Sequence, residues 1–335
     1  MPAPMLLERA QALETLAALR QQAVAEGGRV VLIGGEAGIG KTSLLRAFAS
    51  DALWGACDPL AAPRPLGPLH DIAASLGAEL LAALARDAGR VELFGALLDA
   101  LGRAPHCLVF EDLHWADEAT LDLLAWLGRR IERTRTLLLV TYRDDEIGGA
   151  HPLRRVLGAL PSATRVALSR LSEDSVRRLS GARAVDAASL HRVSGGNPFF
   201  VTELLALNGA QGVPPTVSDA VLARLAPLQA AARAVLDVAA VLGPRIEPTL
   251  LLAIAGTDIA TLDACLAAGA LQEASGSLEF RHELARQAVL GAISLPRRQD
   301  LHQRVLHSLR GAPGIDAARL AEHAEAAQDL SLIHI

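Results

Sequence analysis

The sequence predicts a parallel α/β sheet in the first half of the chain and a mainly helical second half. Three observations carry this. Apolar runs of strand length at residues 30–33, 107–110 and 137–141 alternate with helical stretches, the pattern of a parallel sheet covered on both faces. Each run is followed at once by residues that carry chemistry: a glycine-rich loop, the pair Glu111-Asp112, and Arg143. Ligands of such sheets sit at the carboxyl ends of the strands, so these three groups converge on one site. Beyond about Asp145 the pattern changes and becomes mainly helical.

Taken in order, residues 6–25 form an amphipathic helix with Leu6, Leu13, Leu16 and Leu19 near one stripe, ended by Gly27-Gly28. The first strand, the loop and its helix run to about Ser50, and a short second strand falls within 53–58. The proline-rich stretch 59–68 is a rigid loop. Helices over 70–85 and 91–101 lead to the strand at 107–110, a helix over 119–131, the strand at 137–141, a short helix over 152–160 and one last strand at 166–168. Residues 172–207 are helical, broken by Gly195-Gly196-Asn197-Pro198. Pro214-Pro215 is a linker, 216–254 is mostly helical, and 258–269 is a further helix. Residues 271–280 form a hairpin turning at Gly276, ahead of a helix over 282–290, which together suggest a winged-helix module. The expected domains are 1–150, a helical lid at 151–213, the winged-helix-like part at 214–310 and the start of a helical repeat region at 311–329. The last six residues, 330–335, resemble the in-frame translation of a sequencing adapter and are set aside, which makes the chain a fragment.

Composition bounds the function. Of the 335 residues 51% are apolar but only 3% aromatic, so the core is aliphatic. With a net charge of −5 and no basic block, nothing in these residues announces nucleic-acid binding. Cys57, Cys107 and Cys265 are too widely spaced for a disulfide framework or a zinc site and suit a reducing compartment. The first eight residues lack the features of a signal peptide, and no apolar run reaches the length of a membrane span. The expectation is a soluble, cytoplasmic chain.

The loop reads Gly35-Glu36-Ala37-Gly38-Ile39-Gly40-Lys41-Thr42, followed by Ser43. Between a strand and a helix start, this spacing is the phosphate loop of the P-loop NTPases. Gly35, Gly38 and Gly40 let backbone N–H groups turn inward around an anion, and the positive end of the helix adds to the cradle. Lys41 reaches the β- and γ-phosphates, and Thr42 offers a hydroxyl to Mg²⁺. Lys41 is the only lysine in the chain; every other strong base is arginine. A compact ammonium fits inside such a loop where a planar guanidinium does not. Of Glu111 and Asp112, one carboxylate holds Mg²⁺ and the other polarises the attacking water. Asp112 is placed with Thr42 at the metal, although the usual acidic pair begins with Asp, which leaves the division of labour open. Asp117 is positioned to cap the helix that begins at Glu118, and His114 is read as structural.

The stretches "GGEAGIGKTSLLR", "PRPLGPLHDIA", "LVFEDLHWADEATLDLLAWLGRR", "LLLVTYRDDE", "HPLRRVLGAL", "SGGNPFFVTELL", "TVSDAVLARL" and "FRHELARQAVL" together resemble the STAND-type AAA ATPases. Within them they resemble the ATPase module of the LuxR-type large ATP-binding transcriptional regulators, over about residues 6–329. The resemblance implies an ATP- and ADP-binding switch with slow hydrolysis, in which Lys41, Glu111, Asp112 and Arg143 act on ATP. It implies nucleotide contacts from Gly35, Gly38, Ile39, Gly40, Lys41, Thr42 and Ser43. Arg143 matches the arginine that ends the sensor strand and reads the γ-phosphate. Pro198 matches the proline of the lid's "GxP" motif, which packs on adenine. His282, in Arg281-His282-Glu283, matches in part the histidine of the winged-helix "MHD" motif, which contacts the β-phosphate of ADP. Arg9 matches poorly the arginine of an N-terminal "GRE" motif beside the base. The implied partners are the nucleotide, a small-molecule or protein inducer, and a second copy in the ATP state. DNA would be reached only through a C-terminal domain lying outside these residues. Two other readings share the core: an ATPase of the origin-recognition or helicase-loader kind, and the ATPase module of a signalling kinase or cyclase.

Overall fold

The computed structural model describes residues 6–60, 64–181, 183, 185–207, 212–274, 276–310 and 317–328. The adapter-like tail at 330–335 lies outside them. The chain divides into two compact units, one ending at Leu171 and one beginning at Ser172.

The first unit runs α1 (Ala10–Ala25), β1 (Arg29–Gly34), α2 (Lys41–Phe48), β2 (Leu53–Ala56), α3 (Gly67–Leu76), α4 (Ala78–Ala85), α5 (Arg90–Arg103), β3 (His106–Glu111), α6 (Glu118–Gly128), β4 (Thr136–Tyr142), α7 (Pro152–Gly158) and β5 (Thr164–Ala167). All five strands are parallel, in the order β2-β3-β4-β1-β5. The apolar runs read as buried strands because both faces of the sheet are covered. Val30, Leu32, Leu108, Phe110, Leu138 and Val140 face one core with α3 to α7, whereas Val31, Ile33, Cys107, Val109, Leu137 and Leu139 face the other with α1 and α2. This is the two-residue alternation of a pleated strand with no polar face. The register sets Phe110 opposite Val140 and Gly34 opposite Tyr142. The carboxyl ends of β3, β4 and β1 therefore lie side by side.

Two elements differ from expectation. The helix expected over 70–85 is two, because Gly77 at φ +130° interrupts the helical turn between α3 and α4. The last strand is 164–167, and by pairing with β1 it carries the first unit past residue 150 to Leu171.

The second unit comprises α8 (Glu173–Ser180), α9 (Ala187–Ser194), α10 (Pro198–Ala206), α11 (Pro215–Leu225), α12 (Ala230–Leu242), α13 (Pro248–Ala255), α14 (Ile259–Ala267), the antiparallel pair β6 (Leu271–Ala274) and β7 (Ser277–Phe280), α15 (Glu283–Ala292), α16 (Leu295–Leu309) and α17 (Ala317–Ala326). Its helix starts are written in the sequence: Ser172, Asp186, Asn197 and Asp258 each accept a hydrogen bond from a first-turn amide. Pro214 is the residue before α11 and Pro215 its first residue, where a missing N–H costs nothing. Gly276 turns the hairpin at φ +81°, and Ile246 bridges to Leu278 beside it. An aliphatic core built on Val235, Leu236, Val217, Leu251 and Leu284 joins these pieces. Among the described residues no single helix is long and apolar enough to cross a membrane.

Candidate functional site

The phosphate loop leaves β1 at Gly34 and enters α2 at Lys41. Gly40 sits at φ +97° and Gly35 at φ +153°, both in the left-handed region that favours glycine. The first intrahelical bond runs from Leu44 N–H to the Gly40 carbonyl at 3.0 Å. The amides of Lys41, Thr42 and Ser43 precede it, in the first turn where no helical acceptor exists. Lys41 is buried, and its ammonium donates to the carbonyls of Gly35 at 2.7 Å and Glu36 at 3.0 Å. Burial holds it below the usual lysine value, while the nearby charge of Asp112 opposes that shift. A di- or triphosphate in the loop would favour the charged form by the same Coulomb logic.

At the end of β3 the two acids differ. The Thr42 hydroxyl donates to Glu111 Oε1 at 2.6 Å. The hydroxyl expected beside Asp112 thus meets Glu111. Asp112 lies at φ +56°, a left-handed position uncommon for a non-glycine residue, and its backbone N–H donates to Thr141 Oγ1 at 3.0 Å. Burial raises the Asp112 carboxyl above its ordinary value, with Arg143 and Lys41 opposing. Raised carboxyls in a charged cleft are typical of groups that exchange protons.

Arg143 follows β4. Its Nη1 donates to Glu146 Oε1 at 2.7 Å, and the guanidinium lies 4.6 Å from the Trp115 ring centre. Asp117 caps α6 as its position predicts, accepting from the amides of Ala119 at 2.8 Å and Thr120 at 3.2 Å. It also accepts from Leu66 N–H at 3.2 Å, tying the loop before α3 to the site. Arg9 is buried and its Nη2 donates to the carbonyls of Ile39 at 3.0 Å and Ser169 at 2.8 Å, so it braces the phosphate loop from behind. Glu36, inside the loop, accepts a two-pronged bond from Arg170 at 3.1 and 2.9 Å. Trp115 and Glu146 lie within the quoted stretches without a role assigned to them there, and Arg170 lies outside all of them; all three join the site. Of these only Glu146 carries a local signal, its spacing of three from Arg143.

Gly35, Gly38, Ile39, Gly40, Lys41, Thr42, Ser43, Glu111, Asp112 and Arg143 all belong to the first unit. Pro198 and His282 belong to the second. Pro198 is the first residue of α10, and His282 is the residue before α15. Phe200 of α10 meets the His282 ring edge-on at 4.9 Å, so the two motifs are neighbours within that unit. Among the described residues no group of three or more His, Cys, Asp or Glu side chains is placed to hold a metal. The three cysteines are buried, with thiols pushed up to about 12 at Cys57 and about 11 at Cys107 and Cys265, which removes them as nucleophiles.

Residues 5–140 match the family described as AAA ATPase domain. The chain is 30% identical, over 407 aligned residues, to an uncharacterized protein of Rhizobium meliloti (strain 1021). The match takes in 96% of this chain and 39% of that protein, so the chain spans about two fifths of the length of the curated relative it matches. Among solved structures it resembles the Walker-type ATPase of Pyrococcus abyssi, at 15% identity over 85% of this chain and 96% of that one, with a TM-score of 0.59. It also resembles the ORC2 protein of Aeropyrum pernix, solved as ADPNP–ADP complexes, at 14% identity over 92% and 96%, with a TM-score of 0.55. At these identities the likeness is one of fold: a parallel-sheet P-loop NTPase of AAA type with a helical C-terminal part.

Proposed function

We propose that this chain binds ATP and hydrolyses it slowly as a signalling switch, the regulatory ATPase part of a LuxR-type transcriptional regulator of the STAND class. The observation that carries the nucleotide reading is the meeting of Thr42 and Glu111 at 2.6 Å beside the buried Lys41. The AAA ATPase domain match supports it, and the ORC2 protein of the same fold was solved with ADPNP and ADP. A hydroxyl and a carboxylate at that separation are hard oxygen donors of the kind Mg²⁺ takes in small number, completing its shell with phosphate and water. Mg²⁺ held by Thr42 and Glu111 would supply neutralisation of phosphate charge.

The chain's own groups then divide as follows. The loop amides and Lys41 hold the β- and γ-phosphates. Asp112, whose burial makes it a better proton acceptor, orients a water and takes its proton as the water oxygen bonds to the γ-phosphorus. The bridging oxygen leaves with ADP as that bond breaks. Arg143 meets the charge on the γ-phosphoryl oxygens. This gives Glu111 the metal place and Asp112 the base. In the second unit, the bridge from Ile246 to Leu278 beside the β6–β7 hairpin, followed by α15, supports a winged-helix module. The helical stretch from Ser172 to residue 213 would act as the lid, with Pro198 toward adenine and His282 toward the β-phosphate of ADP. An inducer, a second copy in the ATP state and a DNA-binding domain outside these residues complete the reading.

Calorimetry and a phosphate-release assay test it. Lys41→Ala should abolish ATP binding. Asp112→Asn should keep binding and lose turnover by at least about a hundredfold, the scale of positioned acid–base catalysis. ATP affinity in Lys41→Ala equal to wild type would overturn the site. Full turnover in Asp112→Asn alongside an inactive Glu111→Gln would reverse the two acids.

A further inference from the structure

Glu146 ends the stretch "LLLVTYRDDE" but is given no role there and takes no part in the proposed hydrolysis, yet its two carboxylate oxygens are divided between two functional segments. Oε1 accepts from Arg143 Nη1 at 2.7 Å, and Oε2 lies 3.4 Å from His114 Nε2. The other ring nitrogen of His114, Nδ1, lies 3.9 Å from Asp112 Oδ1. A line of side chains, Arg143–Glu146–His114–Asp112, therefore joins the exit of β4 to the exit of β3. The line is anchored. The His114 side chain is 1% exposed, its ring is 4.4 Å from that of Trp115, and its carbonyl oxygen lies 3.1 Å from His151 Nε2 at the start of α7. The Glu146 and Arg143 side chains are only 20% and 23% exposed, so their attraction is screened less than that of a surface pair.

We propose that Glu146 is a positioning residue for Arg143. It rests on the reading of Arg143 as the γ-phosphate contact. Arginine is long, and a free guanidinium explores many rotamers before it meets a phosphate. Glu146 engages Nη1 and the Trp115 ring lies 4.6 Å from the guanidinium carbon, so the guanidinium is held on two sides where β4 ends. The buried His114 ring lies packed between Glu146 and the segment that carries Asp112, 3.4 Å from a carboxylate oxygen of the first and 3.9 Å from one of the second. The arginine and the water-activating acid thereby share one framework, the condition for a small misplacement of one to be felt in the rate. The competing description is an ordinary ion pair three residues apart that stabilises a turn. It predicts an effect on melting temperature and none on catalysis.

A double-mutant cycle on the full chain separates the two. ATP turnover and the affinities for ATP and ADP are measured for wild type, Glu146→Ala, Arg143→Ala, the double variant and Glu146→Gln. The expected result is a fall in kcat of about ten- to a hundredfold in Glu146→Ala, up to the scale of a catalytic group misplaced by an ångström, with ADP affinity little changed. Glu146→Gln, which keeps one acceptor oxygen, should recover part of the loss. In the Arg143→Ala background the second substitution should add nothing, because residues that act as a unit are not additive. Unchanged kcat in Glu146→Ala, or losses that multiply in the double variant, would overturn the proposal. If Glu146→Ala fails to fold, the isosteric Glu146→Gln takes its place in the cycle, and unchanged kcat or multiplying losses overturn the proposal there too. If Arg143→Ala is impaired and neither Glu146 variant is, this inference fails and the arginine reading stands. If Arg143→Ala is itself silent while Lys41→Ala loses ATP, the arginine reading fails and takes the inference with it.

Discussion

Gly55 shows how closely a single residue can be constrained away from the site. A Cβ at that position would lie 2.2 Å from the Pro68 carbonyl oxygen and 2.6 Å from its Cα, both backbone atoms that have no rotamer to yield. The absence of a side chain is what lets α3 lie against β2. Gly55→Ala should therefore cost about 1–3 kcal/mol of overpacking. In a domain of this size that is roughly 2–4 °C of melting temperature per kcal/mol, readable by calorimetry. Nothing in the local pattern signals this constraint, because the clash is with residue 68 across a loop. The same limit governs the candidate site. Lys41, Thr42, Glu111, Asp112 and Arg143 are legible because each follows an apolar run. Arg170, 134 residues from its partner Glu36, is not. Nor is Trp115, whose contact with Arg143 bridges two strand exits.

Elements are legible in proportion to the strength of their own pattern. β1, β3 and β4 are buried on both faces and stand out as continuous apolar runs. The edge strand β5 has the burial pattern of a half-covered strand, and it begins two residues before its apolar residues suggest. The leucine stripe of α1 points to a start at residue 6, although Glu8 at φ +57° delays it to Ala10. The pairing of α17 with α16 has no sequence signature and brings two histidines together, with His302 Nδ1 2.9 Å from His323 Nδ1. Burial pushes His323 down to about 4, with His302 and Arg319 adding to the shift. His302 is lowered too, by burial and by Arg298, with Glu322 opposing. The fold thus favours the neutral form of both rings, whereas an unfolded histidine protonates near about 6.5. Between about pH 6.5 and 4 the unfolded state binds more protons, so stability falls as pH falls through that window and is unaffected above it. Urea midpoints of the second unit measured across about pH 4–7 should show this slope. His323→Gln, which cannot take up the proton, should flatten it.

At the scale of the whole molecule, the division after Leu171 falls immediately beyond two anchors on the phosphate loop. Arg170 clamps Glu36, and Arg9 joins the Ile39 carbonyl to that of Ser169. The segment that leads out of the first unit is therefore fastened to the loop that would hold phosphate. A switch needs a ligand with different contacts in two states. Under the proposed function the β-phosphate of ADP would have one such contact in His282, and the fastened segment would register the difference. A charge-assisted hydrogen bond is worth about 1.5–3 kcal/mol, which is roughly ten- to a hundredfold in an equilibrium. His282→Ala should accordingly weaken ADP by that factor and ATP by much less, as titration calorimetry would record. Limited proteolysis should report the same event. Cleavage between residues 169 and 173 is expected to slow when ADP is added to the wild-type chain and to change little when it is added to His282→Ala at a saturating concentration. Equal weakening of both nucleotides, or of neither, would make His282 an ordinary residue at the start of α15. Its role would then be structural, the edge-on contact with Phe200 included, and the switch would have to reside elsewhere, as in the loop anchors.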